Sequence, residues 1–218
     1  MILFEDRSDA FNQLAQQLPV QRMKKENWVV LAVSQGGVFF ADKIAKLIGG
    51  NADYLFTEKI TAPNNKECTI AMVSETEELV VNERLIDSFG ITLDYVYGEA
   101  KRKYDEKILA YLYKYRKGDM VSNLKDKNIL LVDEGADTGM TLMASLKTVI
   151  AMDVAKVAVG LPVVPESIAV ELSKIVDEVY FAHTIKNYVD VYTYYRELPE
   201  FDALSFGELN NKYCRLKY

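Results

Sequence analysis

The sequence predicts an α/β fold: a mostly parallel twisted sheet with helices on both faces, plus a small irregular or hairpin hood region. Three observations predict it. Short continuous apolar runs recur, WVVLAV at 28–33, NILLV at 128–132 and KVAVGLPVV at 156–164. Such runs mark strands buried on both faces, as parallel sheets require. Between them lie segments with apolar residues at helical spacing. Two glycine turns, SQGG at 34–37 and DEGADTG at 133–139, follow directly on apolar runs. Strand, turn and helix is the repeating unit of such sheets, and their ligands bind at the carboxyl ends of the strands. Both turns are therefore expected on one edge.

Residues 7–18 place Phe11, Leu14, Ala15 and Leu18 on one helical face, with Ser8 or Asp9 as cap and Pro19 behind the end. After the strand at 28–33, a helical pattern runs over 38–48 and stops at Gly49-Gly50. Residues 53–60 (DYLFTEKI) read as a second strand, and TAPNNK at 61–66 is turn chemistry. Residues 68–74 and 79–81 form a small hairpin around a Glu-rich turn. Residues 93–117 are charged and rich in tyrosine, with Tyr104, Ile108, Tyr111, Leu112 and Tyr115 on one stripe. That spacing reads as packing before it reads as a ligand box. After the strand at 128–132 come a helix over 141–152, a strand at 156–164, a helix opened by Pro165 and running through Lys174, and a strand at 176–182. The tail from 187 is aromatic and polar. The division is a single domain over 1–218, with its core at about 26–185, an N-terminal helix at 7–18 and an aromatic tail at 187–218.

Half of the 218 residues are hydrophobic, enough for a sizeable core. No apolar run reaches the ~18 residues of a membrane span. The opening MILFEDRSDAF carries acids and no long apolar stretch, so no secretory signal is expected and the cytoplasm is the default. A formal charge of −6 argues against duplex nucleic acid as the main partner. Cys68 and Cys214 form no CxxC and are expected to be reduced, without zinc. The single His183 has no companion for a metal triad and is expected to be a structural or surface histidine.

The string ILLVDEGADTGMTL at 129–142 carries the chemistry. A loop entering a helix presents unpaired backbone N–H groups at the positive end of the helix dipole. Glycines let that backbone approach a ligand, and Thr138 and Thr141 add hydroxyls. Gly135, Ala136, Thr138, Gly139, Met140 and Thr141 thus make a candidate phosphate cradle. Asp133 and Glu134 would repel that phosphate unless they served another partner. Vicinal sugar hydroxyls and magnesium are such partners. Asp137 then points toward the sugar, the best-placed acid or base. The plain alternative is an acidic, capped strand-to-helix loop.

This string resembles the signature of the type I phosphoribosyltransferases: a buried strand, two acids, two small residues, Asp-Thr-Gly, one further residue and Thr. The resemblance implies that Asp133 and Glu134 hold the ribose hydroxyls of phosphoribosyl pyrophosphate. It implies that residues 136–141 hold the 5-phosphate and that Asp137 acts as general base. Ser34, Gln35, Gly36 and Gly37 match the loop that binds pyrophosphate through backbone amides. The chain also resembles a bacterial branch of uncharacterised acceptor, in EDRSDAF, SQGGVFFA, EKITAPNNKE, LPVVPES and NYVDVYTYY. That branch carries Arg where this chain has Gln35, and Asp-Asp where it has Asp-Glu. Lys59 matches the branch's lysine and is the candidate to supply the missing charge. The implied reaction is transfer of ribose 5-phosphate to a nitrogen acceptor, with Mg2+ carried by the pyrophosphate; such a site must exclude water, and residues 62–78 are the candidate mobile cover. A non-catalytic phosphoribosyl pyrophosphate or nucleotide sensor and a phosphate-ester hydrolase are the alternatives. No residue pattern names the small-molecule acceptor, and a homodimer is the usual expectation for such an enzyme.

Overall fold

The computed structural model describes residues 1–199 of the chain. It opens with helix α1 (Arg7–Ala15) and the short α2 (Val20–Met23), then strand β1 (Trp28–Ala32), α3 (Gly37–Ile48) and β2 (Asn51–Tyr54). An antiparallel unit follows, β3 (Thr57–Ala62), β4 (Asn65–Ser74) and β5 (Leu79–Val81). Then come α4 (Glu83–Phe89), α5 (Leu93–Lys103), a π-helical turn at Tyr104–Ile108 and α6 (Leu109–Arg116). The chain returns to the core with β6 (Asn128–Val132), α7 (Met140–Ile150), β7 (Lys156–Pro165), α8 (Glu166–Ile175) and β8 (Glu178–Ile185).

Five strands form a fully parallel sheet in the order β2-β1-β6-β7-β8. The register pairs Ala32 with Val132, so β1 and β6 end side by side. Both glycine turns therefore leave the same edge from adjacent strands. One face of the sheet packs on α1 and α3 through Leu14, Phe40 and Ile44. The other packs on α7 and α8 through Leu142, Leu146, Val149 and Leu172. Burial on both faces is what made these strands read as unbroken apolar runs.

Several expectations change. The predicted strand at 53–60 is two strands in two sheets, with Leu55 and Phe56 between them. The break is held by a buried ion pair: Arg116 Nη1 lies 2.6 Å from Glu75 Oε2, at 1% and 0% side-chain exposure. Glu75 also accepts from the Phe56 and Val121 amides at 2.9 Å each, and Arg116 donates to the Tyr54 carbonyl. The helix expected over 7–18 ends at Ala15, and its cap is Asp6, which accepts from the Asp9 amide, rather than Ser8 or Asp9. The expected helix at 93–117 winds through the π-turn, which adds one residue per turn locally. Helix α4, capped by Asn82, carries no helical signal strong enough to be read from sequence. The hood is a three-stranded sheet, larger than the hairpin expected at 68–81.

His183 is structural: it bonds Gln13 at 2.8 Å and meets Phe4 edge-on at 5.5 Å between ring centroids. Cys68 is a free cysteine, and Cys214 and the tail from 200 lie outside the described residues. Among the described residues, no helix is long and apolar enough to cross a membrane.

Candidate functional site

The two turns are fastened to each other. The Ser34 hydroxyl donates to Asp133 Oδ1 and accepts from the Gly37 amide at 3.1 Å. Asp133 Oδ1 also accepts from the Glu134 amide at 2.7 Å. Gly37 is required here by space rather than by φ, and Gly36 lies against the end of the Glu134 side chain. A Cβ on Gly37 would lie 2.6 Å from the Val132 carbonyl oxygen, and one on Gly36 would lie 2.1 Å from Glu134 Cδ. Because the Gly37 obstacle is strand backbone, Gly37→Ala is expected to cost about 1–3 kcal/mol of stability. A urea titration checks it, and a cost below ~0.5 kcal/mol would refute the close approach.

Glu134 is already paired. Its Oε2 accepts from Arg7 Nε at 2.9 Å and lies 2.8 Å from Nη2, with 12% and 15% side-chain exposure for the pair. Arg7 Nη1 also donates to the Pro199 carbonyl at 2.7 Å. Helix α1 thus reaches into the site, and residues 194–199 run beside it, with Phe4 bridged to Tyr195. The Tyr195 hydroxyl donates to the Glu134 carbonyl at 2.7 Å. Asp137 Oδ1 accepts from the Tyr188 hydroxyl at 2.8 Å and the Val191 amide at 3.0 Å. The aromatic tail therefore clasps the very loop that carries the acids.

Between these walls lies a cavity of about 370 Å³. It is lined by Ser34, residues 133–139, Thr141, Leu142 and Val191, with Glu67 and Thr69 from β4 as its roof. The amides of Gly135, Ala136, Asp137, Thr138 and Gly139 have no hydrogen-bond partner among the described residues. Gly139 holds φ +70° and provides no side-chain cap, so α7 begins with its N–H groups open to the loop. The Met140 side chain packs against Met72 and Ala144, leaving its backbone to the loop.

Burial pushes the Asp133 carboxyl up to about 7, against the Ser34 hydrogen bond that favours its ionised form. Burial also raises Glu134, opposed by Arg7 and assisted by Asp137. Burial and the Asp137 hydrogen bond raise the Tyr188 phenol, which stays protonated as a donor. No group of three or more metal-binding side chains occurs among the described residues.

Three of the expected pyrophosphate ligands lie elsewhere or are already engaged. Lys59 is exposed on β3 and does not line the cavity. Gln35 lines a separate cavity across the SQGG turn. The Gly37 amide is taken by Ser34, whereas the Gln35 and Gly36 amides have no partner among the described residues. Arg7, Glu67, Thr69, Tyr188 and Tyr195 were not read as site residues. For Arg7 the signal was present in EDRSDAF, and for the tyrosines in NYVDVYTYY.

The fold and this loop pair are those of the type I phosphoribosyltransferase family. The family model described as the phosphoribosyl transferase domain matches residues 5–194, and the chain belongs to that family. Among curated proteins it is similar to "Putative phosphoribosyl transferase Rv0571c" of Mycobacterium tuberculosis H37Rv and its counterpart MT0597 in strain CDC 1551. Each is 30% identical over 180 residues, 82% of this chain. The chain spans only 40% of the length of those relatives. Among solved structures it is similar to TT1426 from Thermus thermophilus, at 27% identity and a TM-score of 0.76, covering 97% of this chain and 99% of that one.

Proposed function

We propose that this protein transfers ribose 5-phosphate from phosphoribosyl pyrophosphate to a nitrogen acceptor, releasing pyrophosphate, with Mg2+ entering on the substrate. The observation that carries this reading is the run of five partnerless amides at 135–139, set beside two acids at the edge of the sheet. The amides and the start of α7 receive the 5-phosphate. Asp133 and Glu134 face the ribose hydroxyls, for which two carboxylates are suitable acceptors. The Gln35 and Gly36 amides are left to meet the pyrophosphate as the bond from C1 breaks and charge builds on the leaving oxygen.

The new bond forms between C1 and the acceptor nitrogen, and the nitrogen's proton passes to Asp137. Both of that residue's hydrogen bonds fall on Oδ1, which leaves Oδ2 for the proton. Asn at 137 keeps an oxygen for Tyr188 and Val191 but loses the base. Asp137→Asn is expected to retain phosphoribosyl pyrophosphate binding and lose about 10²–10⁴-fold in transfer. Thermal shift with phosphoribosyl pyrophosphate and Mg2+, paired with turnover on a panel of bases, tests both parts. Transfer that survives the substitution removes Asp137 from the chemistry, and a folded protein that phosphoribosyl pyrophosphate does not stabilise sinks the reading.

One observation favours a second reading. Asp137 Oδ1 is already engaged by the tail, as suits a loop built to bind rather than react. Stabilisation without turnover on any base would identify a phosphoribosyl pyrophosphate or nucleotide sensor.

A further inference from the structure

Four acids, Glu67, Asp133, Glu134 and Asp137, line the cavity at the sheet edge, and its described lining holds no lysine or arginine. A pyrophosphate ester carries several negative charges into that space, so a cation from the protein is needed besides any metal that travels with it. Lys59 does not line the cavity, and Gln35 is neutral. Among the described residues, Arg7 at the start of α1 is the one cation that contacts any of these acids. Its Nε and Nη2 both meet the same oxygen of Glu134, at 2.9 and 2.8 Å. The Glu134 carboxylate in turn lies directly over Gly36. A Cβ on that glycine would fall 2.1 Å from Glu134 Cδ and 2.2 and 2.4 Å from its two oxygens. An anion is thus already clamped between the SQGG turn and a guanidinium. Its second oxygen, Oε1, has no hydrogen-bond partner among the described residues. Burial raises this carboxyl above its ordinary range and Arg7 opposes the rise, so one ion pair holds the charge where its surroundings disfavour it.

We infer that Arg7 and the SQGG turn form the seat for the pyrophosphate group, and that Glu134 fills this seat until the substrate displaces it. The inference rests on the transfer reading and adds to it a cation and an exchange. The incoming pyrophosphate takes the guanidinium, whose planar fork suits a phosphate as it suits a carboxylate. Glu134, released, turns to the ribose hydroxyls, which donate to it. No covalent bond changes; one anion replaces another on Arg7. In the unliganded protein the pair keeps either charge from standing half-buried and unpaired. Gln35 then needs no charge of its own, because the cation comes from α1 rather than from the turn.

Calorimetric titration of the full chain with magnesium pyrophosphate and, separately, with ribose 5-phosphate tests this. Arg7→Met is expected to weaken pyrophosphate binding about 10- to 100-fold, the loss of one or two charge-assisted hydrogen bonds, and to leave ribose 5-phosphate no weaker. Glu134→Gln is expected to tighten pyrophosphate roughly threefold or more, because the competing charge is gone, and to weaken ribose 5-phosphate. Opposite signs for the two members of one ion pair set this role apart from a merely structural one, which would move both probes together. Arg7→Lys should restore part of the lost affinity, as a charge without the fork. Arg7→Met combined with Glu134→Gln strands no charge, so it folds even where the single variant does not, and its pyrophosphate binding should remain weak. The inference is overturned, with the transfer reading left standing, if folded Arg7 variants bind pyrophosphate as wild type does, if Glu134→Gln weakens both probes, or if wild type binds ribose 5-phosphate but not magnesium pyrophosphate. A folded wild type that binds neither probe nor phosphoribosyl pyrophosphate removes both.

Discussion

Asp133→Asn is expected to abolish detectable phosphoribosyl pyrophosphate binding while making the unliganded protein more stable at pH 8. The acid is buried, and its carboxyl is held up to about 7 against an ordinary 3.8. Between those values the folded state holds more protons than the unfolded state, so wild-type stability falls as pH rises from about 4 to about 7. The stabilisation is present at low pH and is lost as the carboxyl ionises, a change on the order of a few kcal/mol. Asn cannot ionise, and its oxygen still accepts from Ser34, so the slope disappears. Melting temperatures of both proteins from pH 4 to 8 check this: the curves should be close near pH 4, diverge up to about pH 7 and stay apart above it, with the variant higher. Binding has the opposite sign. A diol and a magnesium-loaded substrate favour the carboxylate, so wild-type affinity should rise through the same window. Parallel melting curves would show that burial does not disfavour the charged acid.

Arg116→Met is expected to cost about 3–5 kcal/mol, the penalty for leaving Glu75 charged and buried without its partner. For a domain of this size that lowers the melting temperature by on the order of 10 °C. Substituting both residues with apolar ones, Glu75→Leu with Arg116→Met, should recover part of the loss, because no buried charge then remains. The recovery is limited by the Phe56 and Val121 amides, which lose the carboxylate they donate to. Chemical denaturation of wild type and both variants decides it, and a single variant as stable as wild type would refute the role given to the pair.

That pair also marks where sequence reading stopped. The parallel strands were legible because burial on both faces leaves runs such as NILLV almost wholly apolar. Both turns were legible because glycine, acid and threonine cluster there for reasons internal to the loop. The break at Leu55 and Phe56 was not, since DYLFTEKI has unbroken strand character and the groups that divide it come from the end of β4 and the end of α6. The same limit applied at the site. Asp133, Gly135 and Asp137 could be placed by their spacing from β6. Arg7 and Tyr188 could not, because their contacts join the first and last described segments across the sheet edge. Nor does spacing say to which side of a turn a side chain points, so the place of the Gln35 side chain, in a cavity apart from the loop at 133–139, was not legible.

The central strand has one further consequence. β6 lies between β1 and β7, and Ile129 to Val132 are fully buried. The loop at 133–139 therefore hangs from the segment whose amides should exchange with deuterium most slowly, while the three-stranded hood sits outside that sheet. Under the proposed function, opening of the hood would admit or release a ligand without loosening that loop. Hydrogen-exchange protection should accordingly be highest in β6 and lowest at the β3–β4 tip, with entry and anchorage divided between two parts of different rigidity.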